Sequence, residues 1–165
     1  MNMRRYPTPF TERKIRFALV GCGRIAKNHF SALKQHSERA ELVGVCDIDP
    51  TALATAVSET QAGPYEDMGS MLKEADADIV VLATPTGLHP EQTIAIAASG
   101  RHVMTEKPMA TRWHDGLRMV KACDDANIRL FVVKQNRRNA TLQLLKHAVE
   151  RGRFGRIYMV NVNVF

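Results

Sequence analysis

Short apolar segments of strand type alternate with segments of helical periodicity along most of this chain. Residues 77–85, ADIVVLATP, are almost continuously apolar, which is typical of a strand buried on both faces of a parallel sheet. Residues 24–36 instead place their apolar side chains at helical spacing. The repetition of strand and helix predicts an α/β fold with a doubly wound parallel sheet. The predicted strands are residues 15–21, 40–47, 77–85, 102–106 and 128–133.

Capping residues mark the boundaries of the predicted helices. Asp49 followed by Pro50 indicates the start of one helix, and Asp67 is the candidate cap of a short one, with a loop between the two. Pro90 opens another helix, which Gly100 ends. A longer helix is predicted after the fourth strand.

The pattern changes in the last part of the chain. Asn139 is positioned to cap a helix over residues 140–151, and Gly152 to end it. Residues 155–165 alternate between apolar and polar side chains, which predicts a half-buried strand of a different sheet. A strand without a partner is an aggregation hazard, so we expect the chain to be a fragment. The predicted organisation is a loose arm (1–13), a doubly wound domain (14–136) and the start of a truncated α+β domain (137–165).

The net charge of +6 is unevenly distributed. Residues 129–158 contain eight Lys or Arg against the single carboxylate of Glu150, a charge of +7. Such a segment attracts anions, including phosphorylated metabolites and carboxylates. Nucleic acid is disfavoured as a partner, because these arginines lack the regular interleaving with aromatic side chains that a stacking platform requires.

The cysteines and the hydropathy exclude several classes of protein. Cys22, Cys46 and Cys123 are widely spaced without a CxxC motif, so neither a disulfide framework nor a metal site is expected. Reduced thiols fit a cytoplasmic location. No segment reaches the ~20 apolar residues of a membrane span, and no apolar region follows the early arginines as in a secretory signal.

A glycine-rich turn follows the first predicted strand. Gly21, Gly23 and Ala26 form the G-x-G-x-x-A version of the dinucleotide fingerprint, between a strand and a helix as that motif requires. Gly21 permits the tight turn, Gly23 allows a pyrophosphate to approach the backbone, and Ala26 allows the helix to pack closely on the strand. The sequence therefore predicts a Rossmann-type domain.

The residues around this turn predict the cofactor. The N–H groups of Arg24 and Ile25 would face the phosphates at the helix N-terminus. Asp47 ends the second strand, where a carboxylate accepts hydrogen bonds from the adenosine ribose. That position favours NAD over NADP as the cofactor.

Two further strand ends carry unusual polar residues. They are ATPTGLHP (83–90) and TEKPMA (105–110). Ligands of doubly wound sheets bind beyond the carboxyl ends of the strands, so both segments are expected at the same crevice as the glycine turn.

The combination of GCGRIA, ATPTGLHP and EKPMA resembles the Gfo/Idh/MocA family, the glucose–fructose oxidoreductase and inositol dehydrogenase group. The resemblance covers about residues 14–165. The segment from residue 132 to residue 165 is similar to one subgroup, the bacterial NAD-dependent dehydrogenases that oxidise the C3 hydroxyl of UDP-N-acetylglucosaminuronic acid. That subgroup supplies nucleotide sugars for lipopolysaccharide biosynthesis.

The resemblance implies roles for individual residues. Lys107 would be catalytic, contacting both the nicotinamide and the hydroxyl being oxidised, because an amine can share the proton of that hydroxyl or stabilise the developing alkoxide. Glu106 would orient Lys107 or contact the nicotinamide ribose. Arginines suit a carboxylate or diphosphate because they bind two oxygens at once. The other implied cofactor contacts are Thr84, Pro85, Thr86, His89 and Gln135, and the other substrate contacts are Asn136, Arg137 and Arg138.

The family's further catalytic residues, an aspartate and a histidine on a helix, belong to a second domain that would follow Phe165. We therefore expect these residues alone to bind NAD without turnover, and the parent protein to be a homo-oligomer, a dimer or a tetramer. Two alternatives stay open. One is a dehydrogenase of another sugar or of a polyol such as inositol. The other is a non-catalytic NAD(H) sensor, against which Lys107 argues.

Overall fold

The computed structural model describes residues 12–163, and its core is a six-stranded parallel sheet in the order β3-β2-β1-β4-β5-β6. Two 3₁₀ turns, Thr86–Leu88 and Gln135–Arg138, supplement the regular elements. The elements are β1 (Ile15–Val20), α1 (Ala26–Gln35), β2 (Ala40–Cys46), α2 (Pro50–Thr60), β3 (Gly63–Tyr65), α3 (Met68–Glu74), β4 (Ile79–Leu82), α4 (His89–Ala98), β5 (His102–Thr105), α5 (Trp113–Asp125), β6 (Leu130–Val132) and α6 (Ala140–Glu150). The predicted doubly wound sheet is confirmed.

The central strands are buried on both faces, as the apolar run of residues 77–85 predicted. All four residues of β4 are buried. Side chains alternate along a strand, so Val81 packs in one core cluster with Phe30 of α1, while Leu82 packs in the other with Ile96 of α4. The direction of the strand order reverses at β1, where β2 and β4 flank it. That reversal creates the crevice in which such folds bind ligands.

The predicted caps are confirmed by their hydrogen bonds. Asp49 accepts from the N–H of Thr51 at 2.8 Å, and Asp67 accepts from the N–H of Ser70 at 2.9 Å. Asn139 accepts from the N–H of Thr141 at 3.0 Å. Helices α2, α3 and α6 therefore begin where the sequence predicted, because these side chains satisfy otherwise unpaired N–H groups.

The prediction of a loop between α2 and α3 is wrong, because part of that segment forms the strand β3. Residues Gly63–Tyr65 pair in parallel with Gly44, Val45 and Cys46 of β2. A Gly-Pro-Tyr segment has no apolar run, so periodicity does not reveal it. Pro64 is tolerated because β3 lies at the edge of the sheet, where one side of the strand needs no donor.

The strand predicted over residues 155–165 is also wrong within the part of the chain that the structure describes. Residues 156–163 form no helix or strand, and the side chains of Tyr158 and Val160 are 84% and 72% exposed. Val164 and Phe165 lie outside the described residues. Alternation favours a strand only when a neighbouring backbone pairs with it, and no described residue does so here.

The described chain divides into two compact units, one ending at Val133 and the other starting at Lys134. The second contains the turn Gln135–Arg138, helix α6 and the irregular segment after it. The domain limits predicted above remain a proposal. Residues 1–11 of the predicted loose arm lie outside the described residues, whereas Arg13 is tied to Asp78. No helix within residues 12–163 combines the length and apolar character needed to cross a membrane.

Asp78 directly precedes β4, at the ends of the strands opposite the crevice, and pairs there with Arg13 and Arg16. Its two carboxylate oxygens each lie 2.7 Å from a guanidinium nitrogen of Arg13, and one also accepts from the backbone N–H of Arg16 at 2.8 Å. Burial by itself would raise the pKa of the Asp78 carboxyl. The hydrogen bonds from Arg13 and Arg16 outweigh that effect and lower the pKa to about 2.

Replacing Asp78 is expected to destabilise the fold in a pH-dependent way. Asp78→Asn should lower the free energy of unfolding by roughly 1.5–3 kcal/mol near neutral pH, the usual contribution of hydrogen bonds to a charged group. The folded pKa of about 2 lies below the ordinary 3.8, so this contribution is present above the ordinary value and disappears as the pH falls toward 2. Urea unfolding across this pH range measures it.

Asp76→Asn is the matched control, because that carboxylate pairs with Arg16 but is 78% exposed. Its effect should stay within about 0.5 kcal/mol. A destabilisation by Asp78→Asn that is as large at the acid end of the range as at neutral pH would contradict the assignment.

Candidate functional site

The glycine turn leaves β1 in the conformation that the sequence predicts. Gly21 has φ +93°, and its N–H donates to the carbonyl of Cys46 at 2.8 Å. A Cβ atom at this position would lie 2.9 Å from the backbone carbon of Ala83 and 2.9 Å from the nitrogen of Thr84. Only glycine fits here, because both the dihedral angle and the neighbouring backbone exclude a side chain. The turn therefore packs directly on the exit of β4.

The start of α1 offers unpaired donors beside this turn. Helix α1 begins at Ala26, which is fully buried, and Ile25 supplies no side-chain cap. The N–H groups of Arg24 and Ile25 make no hydrogen bond to the described residues. Uncapped N–H groups at a helix N-terminus are suited to an anion such as phosphate.

Asp47 lies against the glycine turn and ties it to β2. One of its oxygens accepts from the N–H of Cys22 at 2.6 Å, and the other accepts from the N–H of Asp49 at 2.9 Å. An ionised carboxylate has about four acceptor sites, so Asp47 retains capacity for a ligand. The role of helix cap belongs to Asp49, as the sequence predicted.

The thiol of Cys22 lies within the same turn but is not a nucleophile. Burial raises its pKa to about 12, and the negative charge of Asp47 adds to that shift. The thiol instead donates to the carbonyl oxygen of Cys46 at 3.6 Å. Its place in the turn is therefore structural.

The loop after β4 is held by a side chain that the sequence did not indicate, that of Gln92. The hydroxyl of Thr84 donates to the side-chain oxygen of Gln92 at 2.6 Å. Pro85 is exposed and Thr86 is half-buried at the start of the following turn. Gln92 lies on α4, one helical turn after His89, and orients Thr84 from there.

His89 does not present its ring to the crevice. The residue is 1% exposed, and its Nε2 lies 2.9 Å from the carbonyl oxygen of Thr84. Its Nδ1 lies 3.0 Å from the hydroxyl of Thr105 and 3.2 Å from the carbonyl oxygen of Pro108. The expectation that His89 contacts the cofactor is therefore wrong, because both ring nitrogens contact groups inside the protein. It connects the loop after β4 with the loop after β5.

The loop after β5 contains a buried carboxylate next to an exposed amine. Glu106 is 8% exposed, and its N–H continues the sheet by donating to the carbonyl of Leu82 at 3.1 Å. One oxygen of Glu106 accepts from the N–H of Lys107 at 3.2 Å, and the other lies 2.9 Å from Nε2 of His29. Lys107 is exposed, and its amine makes no ion pair or hydrogen bond with residues 12–163. The bond from Lys107 to Pro108 is cis.

The sheet brings these loops to a single edge. Strands β1, β4 and β5 are neighbours, so the residues that follow them emerge side by side. Gly21, Thr84 and Lys107 accordingly lie on adjacent loops, with Asp47 beside the first. No group of three or more His, Cys, Asp or Glu side chains in the described part of the chain is arranged to bind a metal.

The remaining predicted site residues lie in the second unit. Gln135, Asn136, Arg137 and Arg138 form the 3₁₀ turn before α6, and all are exposed. The side chain of Gln143 donates to the carbonyl oxygen of Arg137 and so fixes the turn on the helix. Their roles toward cofactor and substrate stay predictions.

His29 is the functional candidate that sequence reasoning missed. It follows the buried Ala26 by three positions on α1, so it lies on the same face of the helix. That spacing was the available signal. Its partner Glu106 is 77 positions away, which no local pattern reveals.

Comparison with known proteins agrees with this geometry. The sequence model of the Gfo/Idh/MocA family, described as an oxidoreductase family with an NAD-binding Rossmann fold, matches residues 15–134. The crystal structure of the WlbA dehydrogenase from Bordetella pertussis in complex with NADH and UDP-GlcNAcA is 66% identical and superimposes with a TM-score of 0.88. That match covers 92% of this chain and 44% of the other.

Inositol dehydrogenases are more distant relatives. Inositol 2-dehydrogenase from Rhizobium meliloti is 30% identical over 90% of this chain and 44% of its own length. The structure of myo-inositol 2-dehydrogenase from Lactobacillus plantarum is 26% identical with a TM-score of 0.82, over 88% of this chain and 43% of the other. The chain thus spans less than half the length of these relatives. It belongs to the Gfo/Idh/MocA oxidoreductase family, and residues 15–134 are the part that matches its NAD-binding Rossmann domain.

Proposed function

We propose that this chain is the cofactor domain of an NAD-dependent dehydrogenase that oxidises the C3 hydroxyl of UDP-N-acetylglucosaminuronic acid. The observation that carries the proposal is the exposed, unpaired amine of Lys107 on the loop adjacent to the glycine turn. The 66% identity to a dehydrogenase crystallised with NADH and UDP-GlcNAcA supports the choice of substrate. A binding module without catalysis would not need a free amine at this position.

The residues of the crevice fit a dinucleotide. A Cβ atom built on Gly23 would meet no atom within 4 Å, so the backbone there is open to a close approach by a ligand. The donors of Arg24 and Ile25 adjoin that space and suit a pyrophosphate. The remaining acceptor sites of Asp47 suit the ribose hydroxyls of NAD. NADP carries a phosphate on that ribose, and the carboxylate of Asp47 would repel its negative charge.

We assign to Lys107 the removal of the proton from the reacting hydroxyl. Bound NAD would supply the acceptor for the hydride. Loss of a hydride from a carbinol carbon also requires the hydroxyl proton to leave, and an amine without a carboxylate partner can take that proton or stabilise the alkoxide. Within the described residues Glu106 makes no ion pair with the amine, and its oxygens instead contact Nε2 of His29 and the backbone N–H of Lys107. Its role is to fix the backbone from which the amine extends.

The basic turn of the second unit is assigned to the anionic part of the substrate. Arg137 and Arg138 are exposed and offer planar, bidentate donors to a carboxylate or diphosphate. A polyol has neither group. The alternative function, oxidation of a free polyol, is favoured by the inositol dehydrogenases among the relatives. The two functions differ in whether these arginines matter.

The state of the cysteines supports a proposal for the cellular location of the protein. The three cysteines are buried and free, and burial is the main cause that raises the pKa of each thiol. Such thiols need no oxidising compartment, so we place the protein in the cytoplasm. A homo-oligomeric parent, a dimer or a tetramer, remains part of the proposal.

Two glycine substitutions separate cofactor binding from folding. Gly23→Ala should lower the affinity for NADH by about tenfold or more, because the new methyl group occupies the space open to the pyrophosphate. Its free energy of unfolding should change by no more than about 0.5 kcal/mol. Gly21→Ala should instead destabilise the fold by roughly 1–3 kcal/mol, since its φ is strained for alanine.

NADH fluorescence titration and urea unfolding of the same variants measure the two effects. Undiminished NADH affinity in Gly23→Ala would show that the pyrophosphate does not approach this backbone.

Removing the amine of Lys107 should abolish most of the chemistry. A chimera in which residues 14–165 replace the matching region of the Bordetella pertussis WlbA dehydrogenase provides the remaining half of an enzyme. With UDP-N-acetylglucosaminuronic acid and NAD, Lys107→Ala should slow single-turnover formation of NADH by about 10²–10⁴-fold, the usual contribution of a general base. NADH affinity should change by only a few-fold.

Lys121→Ala is the matched control for lost positive charge, because Lys121 is an exposed lysine of the same unit and pairs with Asp125 on α5. It should leave the rate unchanged. Equal rates for Lys107→Ala and the unaltered chimera would overturn the assignment.

The arginines discriminate between the two substrate classes. In the same chimera, Arg137→Ala and Arg138→Ala should each raise KM for the nucleotide sugar by about tenfold or more, the loss of one charge-assisted hydrogen bond. Activity with myo-inositol, where detectable, should not change. Arg153→Ala, at another exposed arginine of the second unit, is the control. Similar effects on both substrates would favour a structural role for the turn.

A further inference from the structure

We infer that His29 is a positioning residue for Lys107 and acts through the carboxylate of Glu106. The inference rests on the proposed function, in which the amine of Lys107 handles the substrate proton. His29 lies on α1 and Lys107 on the loop after β5, so the connection joins two elements far apart in the chain. Neither the sequence pattern nor the similarity to other proteins assigns a role to His29.

The contact between His29 and Glu106 has a defined direction. Nε2 of His29 lies 2.9 Å from Oε1 of Glu106, and their side chains are 13% and 11% exposed. An ionised carboxylate only accepts hydrogen bonds, so Nε2 carries the hydrogen and donates it. A donor to a buried carboxylate is stabilising, because the carboxylate has lost water that would otherwise solvate it.

Glu106 transmits this contact to Lys107. Its other oxygen, Oε2, accepts from the backbone N–H of Lys107 at 3.2 Å. The backbone of Glu106 is itself fixed by the hydrogen bond to Leu82 at 3.1 Å. With the His29 donor removed, the carboxylate gains by turning toward water, and it then releases the N–H of Lys107. The side chain of Glu106 is therefore the movable part.

The arrangement sets the spacing between the two halves of the crevice. Helix α1 starts at the glycine turn, so the element that presents N–H groups to a pyrophosphate also holds the loop that carries the amine. His89 contacts the same loop from inside the core, where its Nδ1 lies 3.2 Å from the carbonyl oxygen of Pro108. The backbone of Lys107 and Pro108 is thus fixed from two sides. A displacement of about 1 Å in a reacting group can slow a reaction by about 10²-fold.

Three substitutions test the role of His29. His29→Leu removes the donor, whereas His29→Gln retains an N–H at a similar distance from the backbone. His36→Gln, at an exposed histidine that ends the same helix, is the control. If His29→Leu does not fold, His29→Asn replaces it, because its shorter amide does not reach Glu106.

The first measurement is amide hydrogen exchange at Lys107 in the 165-residue chain, with the core amide of Val81 as reference. His29→Leu should accelerate exchange at Lys107 by about tenfold or more without a change at Val81, and His29→Gln should restore most of the protection. In the Glu106→Gln background, His29→Leu should add little. Unchanged exchange at Lys107 in His29→Leu would overturn the inference.

The second measurement is single-turnover NADH formation in the chimera. His29→Leu should slow it by about 10- to 100-fold with the affinity for NADH unchanged, and His29→Gln should recover most of the rate. A full rate in His29→Leu would overturn the positioning role even if amide exchange had increased. If the unaltered chimera forms no NADH, the proposed function fails, and amide exchange alone decides whether His29 holds Glu106 and Lys107.

Discussion

Three backbone hydrogen bonds hold the functional edge of this domain together. Each runs from a residue just after one strand to the last residue of its neighbour: Gly21 to Cys46, Ala83 to Val20, and Glu106 to Leu82. They continue the parallel ladder past the point where the strands end. The loops that carry the glycine turn, Thr84 and Lys107 therefore start from one rigid part of the sheet, which fixes the positions from which their side chains extend.

This edge also explains why a buried strand ends in a carboxylate, an amine and a proline. Glu106 directly follows β5, and its backbone N–H still bonds to the neighbouring strand. Its carboxylate is buried and needs donors, which His29 and the N–H of Lys107 supply. Lys107 is the first residue of the strand exit to reach the surface. Pro108 has no N–H to satisfy, and its carbonyl is used by His89. Each of the three residues thus has a partner or an exposure that fits its chemistry.

The two errors in the expected elements have a common physical cause. Strand β3 has no apolar run, yet it forms because β2 offers an unpaired edge to Gly63–Tyr65. Residues 155–163 have the alternation of a strand, yet within the described residues no backbone pairs with them. Strand formation depends on a partner from elsewhere in the chain, and side-chain periodicity reports burial of faces without reporting that partner.

The sequence by itself determined the order of the helices and of the strands of the sheet apart from β3, the caps at Asp49, Asp67 and Asn139, and the glycine turn. These depend on contacts within a few residues, where dihedral preferences and nearby hydrogen bonds decide the outcome. Only the tertiary structure decided which side chains hold the site: Thr84 with Gln92, His89 with the loop of Pro108, and His29 with Glu106. His89 and Pro108 are 19 positions apart in the chain, and His29 and Glu106 are 77 positions apart. Strand pairing brings these residues together, and no local pattern predicts their contacts.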